Sequence, residues 1–241
     1  MIDIYITSFF RPAFTLETLK KIKERTSPGS YFIHVYDNGS DLETVDQLVQ
    51  LRKDGVIGNL VLDSRNTGCL YNKLVFQAMT ESSSKYYCVS DNDVYPPKLS
   101  PDWLSQIIGI MDAHPEIALL APQLPPQGLQ TPYEVHNDVV YAKAVGNTFK
   151  IVRREAFPLN CSQVLGKYGD DGQISEMVHE KGYKVAFCRN IYCYHAGQCD
   201  NWGYNTQELD KDPRKAGYGP PFVYEIENEE NYVPVGKWKM F

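Results

Sequence analysis

Over residues 2–121 the chain alternates four times between two hydrophobic periods, the short apolar run of a strand and the 3.6-residue stripe of a helix. Residues 2–9 read as a strand, and Pro12 and Thr15 open a helical stretch to about Arg25 whose apolar positions Leu16, Leu19 and Ile22 recur at helical spacing. Residues 31–36 are β-branched and aromatic and stop at the turn signal Asp37-Asn38-Gly39-Ser40. Asp41 then caps a helix carrying Leu42, Val45, Leu48, Val49 and Leu51 close to one face. The same logic predicts a strand at 59–63, a helix at 70–81, a strand at 86–90 ending in Asp91-Asn92-Asp93, a helix at 101–114 and a strand at 117–121.

Such a rhythm implies an α/β fold: a mostly parallel sheet flanked by helices, with ligands received at the carboxyl ends of the strands. The polar residues cluster there. Residues 7–11, 37–40, 65–68 and 91–93 each follow a strand, and one composite site along one sheet edge is the economical reading. After residue 122 the pattern changes. Pro122, Pro125, Pro126, Gly128 and Pro132 mark a loop, strand-like segments follow at 135–141 and 144–152, residues 171–181 read as a helix, and 183–194 as a strand ending in His195-Ala196-Gly197. The expected organisation is therefore one domain over 1–199, with halves 1–122 and 123–199. Residues 200–241 hold eight Gly or Pro and five Lys or Arg against eight Asp or Glu, which predicts a mostly irregular wrap or lid.

Charge narrows the partners. Lys plus Arg total 24 against 30 Asp plus Glu, a net of −6, so the phosphate attraction that dominates nucleic-acid binding has little to act on. No apolar run approaches the roughly 20 residues of a membrane span, and no basic stretch leads into an apolar one at the N-terminus, so a cytoplasmic location without a transmembrane segment is expected. The six cysteines include no CxxC pair and read as reduced thiols. A zinc site from Cys188, Cys193, His195 and Cys199 fits no usual ligand spacing.

Two Asp-x-Asp triplets occur. Asp210-Lys211-Asp212 lies in the polar tail and reads as a solvated face, whereas Asp91-Asn92-Asp93 follows an apolar strand and precedes Pro96-Pro97. Carboxylates at a strand end can gather a divalent cation such as Mg2+ or Mn2+, which keeps positions open for phosphate oxygens, or they can cap a turn.

The order of Arg11-Pro12 after a strand, Asp37-Asn38-Gly39-Ser40, Asn66-Thr67-Gly68 followed by Asn72, and Ser90-Asp91-Asn92-Asp93 resembles the nucleotide-sugar half of GT-A glycosyltransferases, family 2 above all. The resemblance covers roughly residues 2–199. It implies a metal-dependent transfer of a sugar from a nucleoside-diphosphate donor, a uridine nucleotide by preference, to an acceptor hydroxyl of a glycan, lipid-linked or small molecule, with inversion. It places Thr7, Phe9, Arg11, Asp37, Arg65, Asn66, Gly68, Asn72, Asp91 and Asn92 near the donor, with Asp37 accepting a hydrogen bond from the base. Asp37 equally suits an Asx-turn. By the same resemblance Gly146-Asn147-Thr148 lies near the donor sugar, and Asp93, His195 and Asp91 hold the cation. Gly169-Asp170-Asp171-Gly172 before a helix resembles the family's acidic pair, which makes Asp171 the general base and Asp170 its positioning partner, the two roles being exchangeable because the usual Glu is missing at 170. An Asp there also suits a helix cap. Trp202 and Tyr204 suit either stacking on a sugar face or anchoring the tail. A haloacid-dehalogenase-like phosphatase shares an Asp motif after an apolar strand, but places it on an early strand. A non-catalytic nucleotide-sugar or glycan-binding module is the third reading.

Overall fold

The computed structural model describes residues 1–64, 82–124, 134–156, 171–196, 222–228 and 233–240. Nine strands form the main sheet in the order β3-β2-β1-β4-β9-β6-β10-β8-β7. They are β1 (Ile2–Ser8), β2 (Tyr31–Asn38), β3 (Asn59–Asp63), β4 (Tyr86–Ser90), β6 (Ile117–Gln123), β7 (Glu134–His136), β8 (Val139–Ala142), β9 (Lys150–Arg153) and β10 (Lys184–Tyr192). A small ladder of β5 (Val94–Tyr95) with β11 (Tyr194–His195) lies beside it. The described helices are α1 (Pro12–Arg25), α2 (Leu42–Lys53), α3 (Trp103–Ala113) and α4 (Asp171–Glu180). None of them is long and apolar enough to cross a membrane.

The sheet separates two cores, because successive side chains of a strand point to opposite faces. Ile4 and Ile6 of β1 pack with Leu19 and Ile22 of α1, Leu48 of α2 and Ile107 and Met111 of α3. Tyr5, between them in sequence, joins Tyr87, Val89, Leu119 and Val152 on the other face, where Ile174, Met177 and Val178 of α4 cover them. The result is a three-layer α/β/α fold, with β4 and β6 buried along their whole length as expected of central strands.

Strands β3, β2, β1 and β4 run parallel, as the alternating pattern implies. The second half is mixed: β9 runs antiparallel between β4 and β6, β10 is parallel to β6, and β8 and β7 continue antiparallel. The segment expected as one strand over 135–141 is a hairpin broken at Asn137-Asp138, residues that favour turns. The strand expected over 144–152 begins only at Lys150, after Gly146-Asn147. Asp41 caps α2 by accepting from Thr44 N at 3.0 Å, but Leu42, expected on the core face, is 82% exposed in the first turn. The expected helix at 70–81 lies outside the described residues. In the tail, expected to be mostly irregular, β12 (Phe222–Asn228) and β13 (Val233–Met240) pair antiparallel, because runs of β-branched and aromatic residues outweigh the Gly and Pro around them.

Register decides where the polar loops lie. Ser8 is level with Asp37, Asn38 with Asp63, and Ile6 with Ser90, so the carboxyl ends of β1 to β4 share one rim. Antiparallel β9 starts at that rim, with Lys150 opposite Val89. Strand β10 ends level with Gln123 and leads into β11, where His195 pairs with Val94. Distant parts of the sequence therefore converge on the acidic triplet.

Candidate active site at the carboxyl rim

The acidic triplet is fixed from three sides. Asp91 N donates to Asn147 O at 2.8 Å, and Ser90 Oγ accepts from Phe149 N. Asn92 is buried: its Nδ2 donates to Thr15 Oγ1 at 2.7 Å, and its carbonyl accepts from Thr18 Oγ1 at 2.7 Å. Ala196 N donates to Asp93 O at 2.8 Å, tying the strand that carries His195 to the triplet. The side chains of Asp91 and Asp93 are thus presented by a backbone with little freedom.

Asp93 is 1% exposed and lies between Arg11 and His195. Arg11 Nη1 donates to its Oδ2 at 2.6 Å, and His195 Nε2 lies 3.3 Å from Oδ1. Burial alone would raise the Asp93 carboxyl, but the charges of His195 and Arg11 outweigh it and hold the group well below the usual carboxylate range. Burial alone would lower the His195 imidazole, and the neighbouring Asp93 carboxylate outweighs that, leaving it raised. Thr7 Oγ1 lies 3.4 Å from Asp91 Oδ1, and Arg11 Nη2 lies 3.3 Å from Asn92 Oδ1.

Arg11 reaches the triplet from an unusual backbone. It is the N-cap residue of α1 with φ 54° and ψ 54°, and Phe10 before it has φ 49°. Two successive non-glycine residues in the left-handed region cost free energy and persist only where the surroundings impose them. Phe10 N donates to Ser40 Oγ at 2.8 Å, and Ser40 in turn donates through its N and its hydroxyl to Asp37. Asp37, fully buried, thereby closes the turn 37–40 and steadies the loop 9–11. Phe9 stacks edge-on against Phe10 at 4.7 Å.

The structure therefore brings together Thr7, Phe9, Arg11, Asp37, Asp91, Asn92, Asp93, Asn147 with adjacent Gly146, and His195. Arg65, Asn66, Gly68, Asn72, Asp170, Trp202 and Tyr204 lie outside the described residues, and so does the side chain of Asp171, whose backbone opens α4. Thr15, Thr18 and Ser40 were not singled out by the sequence as site residues. Their signal was a polar residue on a buried stripe: Thr15 and Thr18 share the face of α1 that carries Leu19 and Ile22.

The donor set suits a hard or borderline divalent cation. A carboxylate oxygen and an imidazole nitrogen 3.3 Å apart match two adjacent ligands around a cation with bonds of about 2.1 Å, and such ions take their remaining ligands from water and phosphate. Asp93 Oδ1 is buried and, without a hydrogen bond of good geometry among the described residues, faces His195 Nε2 at 3.3 Å, the edge that a cation would bridge. Protein ligands are few: no group of three His, Cys, Asp or Glu that could hold a metal occurs among the described residues. Cys88, Cys188 and Cys193 are buried free thiols, pushed up by burial.

A family model described as glycosyl transferase family 2 matches residues 3–160. No curated protein matches the chain. Among solved structures, a mannosyltransferase from Pyrobaculum calidifontis in complex with GDP-Man and Mn2+ superposes with a TM-score of 0.63 at 13% identity, over 81% of this chain and 56% of that one. GalNAc-T7 with UDP, GalNAc and Mn2+ gives 0.58 at 13% identity, over 81% and 43%. Residues 1–349 of TarS from S. aureus in complex with UDP give 0.56 at 15% identity, over 80% and 60%. The chain spans less than two thirds of the length of these three structures, and identities this low speak to the shared fold.

Proposed function

Because this chain belongs to glycosyl transferase family 2, we infer that it is a metal-dependent glycosyltransferase moving a sugar from a nucleoside-diphosphate sugar, UDP-linked by preference, to an acceptor hydroxyl. The observation that carries this reading is the meeting of Asp93 and His195, far apart in sequence, at 3.3 Å on the carboxyl rim. The family match leaves the phosphatase reading without support.

In this account Asp93 and His195, with Asp91 beside them, hold Mn2+ or Mg2+. When bound, that cation supplies positive charge to offset the leaving diphosphate. Thr7 and Phe9 border the side of the rim that receives the nucleoside, with Arg65, Asn66, Gly68 and Asn72 assigned to the same pocket; Asp37, buried and bonded to Ser40, faces a base only if it gives up one of those bonds. Arg11 offers a planar fork of donors suited to phosphate oxygens. Gly146 and Asn147 border the donor sugar. Asp171, at the start of α4, takes the proton from the acceptor hydroxyl as its oxygen bonds to the anomeric carbon. The bond from that carbon to the diphosphate oxygen breaks with its electron pair leaving on the diphosphate. Attack from the face opposite the leaving group inverts the centre. Asp170 positions the base or the acceptor, and Trp202 and Tyr204 offer faces for the acceptor. The chemistry belongs in the cytoplasm, on a glycan, lipid-linked or small-molecule acceptor.

Calorimetric titration of UDP and GDP tests the donor site, first with Mn2+ and then with EDTA, beside Asp93→Ala. Metal-dependent binding of one nucleotide, lost in the variant, is the expected result. No binding of either nucleotide under any condition contradicts the donor assignment. Binding without any turnover of nucleotide sugars points to a non-catalytic binding module.

A further inference from the structure

The cation that meets the acidic triplet in this structure belongs to the protein. Arg11 Nη1 lies 2.6 Å from Asp93 Oδ2, and Nη2 reaches Asn92 Oδ1 at 3.3 Å. The two oxygens of Asp93 are thereby divided, Oδ2 to the guanidinium and Oδ1 toward His195. A divalent cation held by Asp93 would lie within a few ångströms of that guanidinium. Like charges at such a distance, in a site this buried, repel strongly enough to cost well over a factor of ten in affinity.

The two partners differ in how firmly they are fixed. Asp93 belongs to a triplet tied down by Thr15, Thr18, Asn147 and the backbone of Ala196. Arg11 has a long side chain rooted in a left-handed pair of residues whose conformation is imposed by Ser40 and, through it, Asp37. Its guanidinium packs over the Phe14 ring at 5.5 Å. Of the two, the guanidinium stands at the end of the longer side chain, so it can change partner by rotation about its own bonds while the triplet backbone stays in place. A diphosphate offers it more negative charge than one carboxylate and accepts bidentate hydrogen bonds.

We propose that Arg11 is an internal counter-ion for the metal seat: without nucleotide its guanidinium neutralises Asp93 and keeps divalent cations out, and an arriving diphosphate draws it away. Cation and nucleotide then bind together, each weakly alone. The inference rests on the donor-site reading above and adds to it an order of events and the residue that enforces it.

The test measures Mn2+ uptake by the loss of the free-ion electron paramagnetic resonance signal, with no sugar donor present. The full chain, Arg11→Asn and Arg11→Lys are each titrated with and without UDP, and again with GDP. Asn removes the charge while tolerating the left-handed backbone, and Lys keeps the charge while losing the fork. The expected result is that Arg11→Asn takes up Mn2+ without nucleotide at least about tenfold more tightly than the unaltered chain, with Arg11→Lys close to the latter. Nucleotide should tighten Mn2+ binding at least about tenfold in the unaltered chain and distinctly less in Arg11→Asn. Equal Mn2+ affinity of the unaltered chain with and without a nucleotide that binds overturns the proposal, and that comparison needs no variant to fold. Equal affinities of the unaltered chain and a folded Arg11→Asn overturn it as well, while leaving the donor site standing. No Mn2+ uptake by any form with either nucleotide overturns the donor-site reading and this inference with it.

Discussion

The two rims of the central sheet each hold a buried arginine, and the two are satisfied in opposite ways. At the amino rim, Arg153 of β9 is 2% exposed and donates to Ile117 O, Met111 O, His114 O and the Tyr86 hydroxyl at 2.7–3.2 Å. Its close donors meet carbonyls and a hydroxyl that are themselves part of the frame, on an ordinary strand backbone, while the one carboxylate near it, exposed Glu155, stands off at 3.7 Å from Nη1. At the carboxyl rim, Arg11 meets a carboxylate from a left-handed backbone, and a third group, His195, faces the same carboxylate. The first arrangement joins β9 to α3 and β6. The second concentrates charge on one carboxylate whose partners can exchange, which is the property a ligand site needs. Burial of a charged residue does not by itself distinguish the two; the kind of partner does.

The sharpest way to break this contrast is to remove each charged group in turn. Arg153→Met leaves the carbonyls of Ile117, Met111 and His114 without their donor, and should cost about 3 kcal/mol or more in denaturant unfolding while nucleotide affinity of the folded fraction is unchanged. A large loss of nucleotide affinity would show that the amino rim shapes the site after all. Asp93→Asn should weaken Mn2+-supported nucleotide binding about 100-fold, roughly 2.7 kcal/mol by calorimetry. Unaltered affinity there would remove the carboxyl rim from the account. Below these lies Asp102→Ala. Asp102 caps α3 through Leu104 N and Ser105 N and accepts from Ser27 Oγ at 2.6 Å, so its loss should cost about 1–2 kcal/mol in stability and nothing in nucleotide binding.

The smallest effect is a pH dependence at the amino rim. His114 lies between Glu116 at 3.1 Å and Asp138 at 2.9 Å, and Tyr141 donates its hydroxyl to Glu116. Burial would lower the His114 imidazole, but the hydrogen bonds and charges of Asp138 and Glu116 outweigh it and raise it above 6.5. Its stabilising contribution is therefore complete below the unfolded value and is lost as pH rises through the raised folded value. Glu116 has the opposite sign. Burial would raise it, the hydrogen bonds from Tyr141 and His114 bring it to about 2, and its contribution fades only as pH falls toward that value. Thermal melts of the unaltered chain and His114→Gln should differ more at pH 5.5 than at pH 8.5. An equal gap at both would mean that the His114 contacts add nothing through charge.

Legibility in the sequence followed the same division. The parallel half was readable because each βα unit repeats a local periodicity, and the strand-end motifs 37–40 and 91–93 fell where that periodicity placed them. The mixed half was less so. Whether β9 inserts antiparallel between β4 and β6 depends on pairing between residues far apart, and no local pattern in Lys150-Ile151-Val152-Arg153 announces a neighbour. At the site, Asp93, His195 and Arg11 were identifiable as chemistry-bearing residues. Their mutual contact was not, because it depends on the left-handed backbone at Phe10 and Arg11, where neither residue is the Gly or Asn that usually signals such a turn. The role of Asp37 in closing its own turn was legible as an Asx motif, since Gly39 and Ser40 follow it.

On the function proposed above, nucleotide and cation gather at the carboxyl rim around Asp93. Paramagnetic broadening of backbone amide resonances by Mn2+, in the presence of UDP and then GDP, locates the cation without assuming any activity. The strongest broadening is expected at Ser8, Asn92, Val94 and Ala196, and the weakest at the amino rim, at His114, Asp138 and Arg154. Broadening centred on the amino rim, or spread evenly over the surface, would contradict it.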